Sequence, residues 1–300
     1  MRTAFINRLI EEARANPRIF LVVGDLGYSV VEPFAREFPE RFLNAGVAEQ
    51  NMTGVSAGLA SEGYQVFTYS IANFSTLRCL EQIRNDVCYH NLPVTVVAVG
   101  GGLAYGNLGY SHHAVQDIAI LRTMPNITIL APGDPGETSE CVGWISANPT
   151  PTYLRIGKAG EKVLHHCRGV EKGPLCIKKG RSDLCLVSTG GILDEALNAA
   201  ELLLSSGQSV SVYSMPYLKP LTPHVLESLV LYKNIVAVEE HGPEGGLASI
   251  LREQLPKGLP VYSISVSAAA VGAVGGQAFL RDFSGISAEG IVARCRCLLG

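Results

Sequence analysis

Residues 65–99 read QVFTYSIANFSTLRCLEQIRNDVCYHNLPVTVVAV. The passage opens on a β-branched and aromatic run, Gln65–Tyr69, and closes on an apolar one, Val94–Val99, with a helical window, Phe74–Tyr89, between them. A run that is apolar throughout has no side to offer to water. Both ends are therefore expected to be strands buried on two faces, as in a parallel sheet covered by helices. Strand, helix and strand in that order predict a right-handed βαβ unit.

The same alternation continues in both directions. Upstream, Ile19–Val23 and Arg41–Ala45 predict strands, and Thr3–Ala15 and Ala48–Ser61 predict helices. Downstream come helices at Val115–Thr123 and Asp134–Ala147 around a strand at Ile127–Leu130. From Gly157 the chain turns Lys- and Gly-rich with weak periodicity, which reads as a linker over residues 157–182. A second α/β pattern follows. Strands are expected at Asp183–Ser188, Ser209–Ser214, Asn234–Glu239 and Val261–Val266, and helices at Leu193–Leu204, Pro223–Tyr232, Gly246–Gln254 and Ala288–Leu298. The expected fold class is α/β with two domains, residues 1–156 and 183–300, each a mainly parallel sheet flanked by helices.

Composition narrows the function. The chain has 300 residues, 47% hydrophobic and 17% charged, which excludes a disordered chain. Twenty-four basic against 27 acidic residues leave a net charge of −3, with no basic stripe to neutralise phosphates, so no nucleic-acid partner is expected. No apolar run reaches the roughly 18 residues that span a bilayer, so no membrane partner is expected either. The first residues, MRTAFINRLIEEARANP, carry acids inside their apolar pattern, unlike a signal peptide, and a cytoplasmic protein is expected. Eight scattered cysteines show no CxxC spacing, which argues against a zinc site or a redox dithiol.

Several motifs need weighing. Gly100-Gly101-Gly102 through Gly109 follows a strand and suits a ligand crevice, but Tyr105 stands where GxGxxG needs its third glycine. Gly54-Val-Ser56-Ala-Gly58 matches GxSxG, yet Ser56 lies well inside a helical pattern and not on the tight turn a nucleophile elbow requires. The pairs His112-His113 and His165-His166 have no accompanying ligand set, and no metal site is expected in this chain. In Gly46-Val-Ala-Glu49-Gln-Asn51-Met, Glu49 opens a helix rich in small residues, where a carboxylate is favoured and a ligand ring has room.

Taken together, GVAEQNM at 46–52, TYSIANFSTLRCLEQIRNDVCYHNLPV at 68–94 and SHHAVQDIAILRTMPNITILAPGD at 111–134 resemble the C-terminal half of transketolases. So do MPYLKPL at 215–221, VEEHGPEGGL at 238–247 and GISAEGIV at 285–292 in the second unit. The resemblance implies a thiamine-diphosphate-binding fold, carrying the pyrimidine side, followed by a transketolase C-terminal domain. It implies that Glu49 hydrogen-bonds the aminopyrimidine nitrogen and so promotes loss of the thiazolium C2 proton, acid–base chemistry at one remove. Phe74 would stack on the aminopyrimidine, Asp25 and Ile71 would line the thiamine site, and His112 would contact substrate hydroxyls. Arg2, Ser29 and Arg155 would hold a substrate phosphate.

Departures from the family pattern bear on the substrate. Leu108 replaces an Asp that reads sugar hydroxyls, and a substrate-side His falls at Gly100 or Gly101. Ile71 and Leu77 stand where full-length enzymes carry aromatics. A less hydroxylated or differently shaped sugar is the expected consequence. The chain has no GDG and no Asn pair, the segment that binds diphosphate and Mg²⁺ in such enzymes. The resemblance then implies a split enzyme in an α₂β₂ assembly. A partner subunit, the N-terminal section, would carry GDG…NN and hold Mg²⁺, and this chain would help transfer a two-carbon ketol unit from a ketose to an aldehyde. A β-type subunit of a 2-oxo acid dehydrogenase or carboligase, and a non-catalytic assembly scaffold, are the alternatives.

Overall fold

The computed structural model describes residues 1–166 and 169–299. One of the eight cysteines, Cys167, lies outside them. Twelve strands are present among the described residues: β1 (Ile19–Val23), β2 (Phe42–Asn44), β3 (Gln65–Ile71), β4 (Val94–Val99), β5 (Thr128–Leu130), β6 (Thr152–Ile156), β7 (Leu175–Lys178), β8 (Leu184–Thr189), β9 (Ser211–Ser214), β10 (Tyr217–Lys219), β11 (Asn234–Glu239) and β12 (Val261–Ile264). They form two sheets, ordered β10-β5-β6-β4-β3-β1-β2 and β12-β11-β8-β9-β7. Every pairing is parallel except β10 with β5 and β7 with β9, one edge of each sheet.

The opening passage folds as its pattern dictates. Every residue of β3 and β4 is buried, and they pair in register Val66 with Val94 through Ile71 with Val99. Its helical window is broken, however, into short helices at Ala72–Thr76 and Leu80–Gln82 and a wider-wound turn at Ile83–Tyr89. The helix Arg2–Ala15 buries Phe5, Ile6, Leu9, Ile10 and Ala13, the spacing of one helical face, and packs on the helix Pro135–Ala147.

The stretch 157–182 is more than a linker. Leu175–Lys178 is the strand β7, paired antiparallel with β9 at the edge of the second sheet. The two domains are also sewn together. β10, from the second half of the chain, extends the first sheet beside β5. One core cluster joins Val96, Ile118, Ile129 and Tyr153 of the first domain to Tyr213, Met215, Leu229 and Leu251 of the second. Pro223–Leu229 is a tight 3₁₀ turn and no α-helix, and the window Val115–Thr123 shortens to a helix at Asp117–Leu121. The strand β6 escapes a sequence reading because its TYLRI pattern carries a charge, whose burial the structure explains below.

At the carboxyl ends of β1, β3 and β4 lie three segments: the loop 24–31, the short helix Ala72–Thr76 with the turn after it, and the glycine-rich stretch 100–113. In an open α/β sheet that edge is where ligands bind.

Candidate active site

Glu49 is the first residue of the helix Glu49–Ser61 and is 2% exposed. Ser70 at the end of β3 donates its hydroxyl to Oε1 at 3.3 Å. Arg78 donates Nη1 to Oε2 at 2.8 Å. A Cβ on Gly24 would stand 3.2 Å from Ser70 Oγ and 3.4 Å from Glu49 Cγ, so glycine is what lets the chain leaving β1 pass tightly over the carboxylate. The helix N-terminus adds its partial positive charge at the same place.

Arg78 ties the carboxylate to the aromatic group predicted beside it. Its guanidinium lies 4.7 Å from the centre of the Phe74 ring, and the Phe74 ring lies 4.9 Å from that of His112. Glu49, Phe74 and His112, chosen from three separate segments, are thus brought into one cluster. His112 Nδ1 and Ser111 Oγ are 3.0 Å apart. Burial lowers the His112 pKa below its ordinary value, so the ring is neutral at neutral pH. Asn73 donates Nδ2 to the Ser111 carbonyl at 2.7 Å and pins the glycine-rich loop to the helix Ala72–Thr76.

The second domain holds that loop from its other side. Glu240 Oε1 accepts the Leu103 N–H at 2.7 Å, and Oε2 accepts Arg281 Nε at 2.8 Å. Gly102 sits at φ +70°, and a Cβ there would come within 2.8 Å of Glu240. Leu108, on the short turn Gly106–Leu108 of the same loop, is exposed. Ile71 closes β3 and is buried.

Asp25 and Ser29 lie on the loop after β1, both at positive φ. Asn44 locks this loop to β2: it donates Nδ2 to Asp25 Oδ1 at 3.1 Å and accepts the N–H groups of Asp25 and Gly46. Ser29 N–H donates to Glu32 Oε1 at 2.7 Å. The Arg2 side chain acts on Tyr69 and Tyr105, a side-chain hydrogen bond to Tyr69 among its effects, and Arg2 Nε is buried without a hydrogen-bond partner among the described residues. Unpartnered buried polar atoms beside a crevice are what a polar ligand satisfies.

Arg155 stands apart from this cluster. It is 4% exposed, and Nε donates to Asp117 Oδ2 at 2.7 Å. Nη2 donates to the carbonyls of Ala114 and Glu240, each at 2.9 Å. Such a guanidinium is a tie between domains through Nε and Nη2; Nη1 takes part in none of these bonds, and Arg155 lines a cavity with Gly101, Gln277 and Arg281. Three residues on, Lys158 is exposed just past the end of β6, with Nζ 4.7 Å from the Tyr105 ring, itself 6.4 Å from the His112 ring. Sequence reasoning passed over Lys158, and over Arg78, whose position four residues beyond Phe74 was a usable signal. Nothing local in the sequence marked Asn44, and Glu240 stood inside the VEEHGPEGGL motif with no role assigned to it.

Ser56, the GxSxG serine, is fully buried within its helix and donates to the Met52 carbonyl at 2.7 Å. It has no access to a substrate. Burial raises the thiol pKa of Cys79 and Cys88 to about 11 and of Cys185 and Cys295 to about 12, which keeps all four protonated and inert.

Residues 1–160 match the family model for the transketolase pyrimidine binding domain, and residues 173–291 match that for the transketolase C-terminal domain. The chain belongs to the transketolase family. It is 36% identical over 259 residues to a putative transketolase C-terminal section of Methanocaldococcus jannaschii, covering 84% of this chain and 81% of that one. One of the subunits of an apulose-4-phosphate transketolase from Actinobacillus succinogenes is 30% identical, covering 96% of this chain and 94% of its own. A solved split gene transketolase, described as an inactive β4 tetramer, superposes with a TM-score of 0.84 at 33% identity, covering 97% of this chain and 95% of that one. The two domains are those of the C-terminal section of a split, thiamine-diphosphate-dependent, transketolase-like protein.

The residues of this transketolase section fit the aminopyrimidine end of thiamine diphosphate. A buried acceptor, Glu49, adjoins a half-buried aromatic face, Phe74, in a crevice walled by Gly24. Among the described residues, no group of three His, Cys, Asp or Glu side chains is placed to hold a metal ion, and no helix is long and apolar enough to cross a membrane.

Proposed function

We propose that this chain is one half of a two-component transketolase, transferring a two-carbon ketol unit from a ketose phosphate donor to an aldehyde. The observation that carries the reading is Glu49: a buried carboxylate at a helix start, joined through one arginine to an aromatic face and a neutral histidine. Around it Leu43, Val47 and Leu77 are exposed, an apolar rim suited to burial against another polypeptide. That partner would supply the diphosphate and Mg²⁺ site, in an α₂β₂ assembly.

When bound, thiamine diphosphate supplies the nucleophilic carbon that the donor ketone meets. The chain's own residues then have separable tasks. Glu49 would hold the proton shared with the aminopyrimidine ring nitrogen. Phe74 offers the face on which that ring rests. The neutral His112 accepts or donates a hydrogen bond at a substrate hydroxyl. Arg2 and Lys158 are cations free to anchor the remote phosphate, which orients the reacting end. Asp25, on the strained loop, lines the thiamine side, and Ser29 on the same loop is kept for the substrate phosphate. The exposed Leu108 cannot hydrogen-bond a sugar hydroxyl, which favours a less hydroxylated substrate.

The test is native mass spectrometry of the tagged chain captured from its own cell extract with Mg²⁺ and thiamine diphosphate. A stoichiometric second polypeptide containing GDG…NN, with cofactor bound and ketol transfer in solution, is the expected result. Tight cofactor binding and turnover by this chain alone would overturn the split-site reading. Release of CO₂ from a 2-oxo acid donor by the assembly would move the reaction to the decarboxylating relatives.

A further inference from the structure

Between the domains lies a cavity of about 370 Å³ that none of the residues assigned above lines. One side comes from Tyr110–Ile120, the end of the glycine-rich loop and the helix after it. The other comes from Gly242–Glu244 and Val266–Val271. The volume falls within the range of about 300–1,000 Å³ usual for ligand pockets. Most of the wall is apolar: Val115, Ala119, Ile120, Val266, Ala270 and Val271.

One polar group in that wall is unsatisfied. His113 is 2% exposed, its Nε2 has no hydrogen-bond partner among the described residues, and its other ring nitrogen faces the backbone of Gly106. A donor at the Gly106 side leaves Nε2 as an acceptor. The other polar side chains of the lining are Tyr110, Gln116, Glu244 and Ser267. The Gln116 amide donates to the Tyr110 hydroxyl at 3.1 Å, and Glu244 is an exposed carboxylate at the rim. The wall around Nε2 is mostly apolar and Ser267 belongs to the other side of the cavity, so a lone water there would find few of the roughly two to four polar partners it needs. Among the described residues no Lys or Arg lines the cavity, and Glu244 repels anions, so sugar phosphates and the cofactor's diphosphate are excluded from it.

We infer that this interdomain cavity is a second binding site, for a compact, uncharged, mainly apolar molecule with one hydroxyl or N–H donor directed to His113. An aromatic alcohol is the simplest such ligand. Residue 113 adjoins His112, and Ala114 bridges to Gly102 at the other end of the glycine-rich loop. An occupant would therefore brace the loop that carries Leu108 and His112 without entering the catalytic crevice, which is the structural basis for an effector.

The experiment uses the full chain with 2-naphthol, its methyl ether lacking the donor, and ligand-observed NMR titration. The naphthol is expected to bind about tenfold more tightly than the ether, the effect of one hydrogen bond to a buried acceptor. His113→Phe should erase that difference. Ala268→Trp, which fills the cavity from its exposed rim, should abolish binding of both. Amide exchange over residues 106–113 should slow when the naphthol is bound. Equal binding of alcohol and ether, or binding untouched by Ala268→Trp, would overturn the inference. If His113→Phe does not fold, the wild-type difference and the Ala268→Trp variant still decide. Loss of the probe on assembly with the partner polypeptide would give the cavity to a protein side chain and likewise overturn it.

Discussion

Replacing Arg155 with methionine separates two uses of one arginine. In the structure its Nε donates to Asp117 Oδ2 at 2.7 Å, and that oxygen also accepts the Tyr153 hydroxyl at 2.5 Å, while Asp117 Oδ1 has no hydrogen-bond partner among the described residues. Both members of the pair are buried, at 4% and 1% side-chain exposure. Methionine keeps most of the volume and removes every donor. Asp117 would then keep only the Tyr153 hydrogen bond, with His241 Nε2 3.9 Å from its other oxygen, and the carbonyls of Ala114 and Glu240 would lose a donor each. Breaking a buried pair from one side costs about 3–5 kcal/mol. The carbonyl losses belong to the same guanidinium and are not added to it. At about 2–4 °C per kcal/mol for a chain somewhat smaller than this one, the melting temperature should fall by roughly 6–20 °C. Differential scanning fluorimetry reads this directly. Adding Asp117→Asn removes the stranded charge, so the double variant should melt higher than Arg155→Met alone. A variant that melts like wild type but needs tenfold more phosphorylated donor to reach half-maximal rate would refute the reasoning and return Arg155 to phosphate binding.

Other outcomes follow from the same geometry. Glu49→Gln should leave assembly intact by native mass spectrometry and cut kcat by about 100-fold or more, the range for a lost acid–base group; an unchanged rate would remove Glu49 from catalysis and favour the scaffold. Lys158→Met should leave the melting temperature within about 1 °C, since the side chain is exposed, and raise KM for a phosphorylated donor but not for its dephosphorylated analogue. Glu240→Gln weakens the clamp on Leu103 and removes one of the three carboxylates around Arg281, leaving Asp194 and Glu195, so a loss of about 1.5–3 kcal/mol should come with faster amide exchange over residues 100–113; protection equal to wild type would mean the loop holds itself. For His165, burial lowers the pKa, but the bond and charge of Glu137 at 2.7 Å outweigh it and leave the folded pKa above 6.5. Its stabilisation is therefore complete below about pH 6.5 and lost as pH rises through the folded value, so denaturation midpoints for His165→Gln should depend less on pH above 6.5 than those of wild type.

Much of the fold was legible because burial on both faces leaves a signature in one dimension. β1, β3, β4, β8, β9 and β11 all lie within or largely within runs read as strands. β6 and β7 were not legible, since TYLRI and LCIK mix charge with apolar residues and each needs a partner elsewhere to explain it. β10 could not be foreseen as part of the first sheet, because its pairing with β5 crosses from one domain to the other.

For the site, order and spacing of motifs were enough to nominate Glu49, Phe74 and His112, which the structure places together. The arginines were a different matter. The sequence by itself determined only that basic residues stand at positions 2, 78, 155 and 158, and its motifs nominated two of them, Arg2 and Arg155. Only the tertiary structure decided their uses: Arg78 on Glu49, Arg155 inside the domain junction, Arg2 with an unpartnered nitrogen and Lys158 in solvent. The physical reason is that a hydrophobic run states its own preference for burial residue by residue. A charge takes its role from the groups that surround it, and Arg155 meets those groups 38 and 85 residues away along the chain.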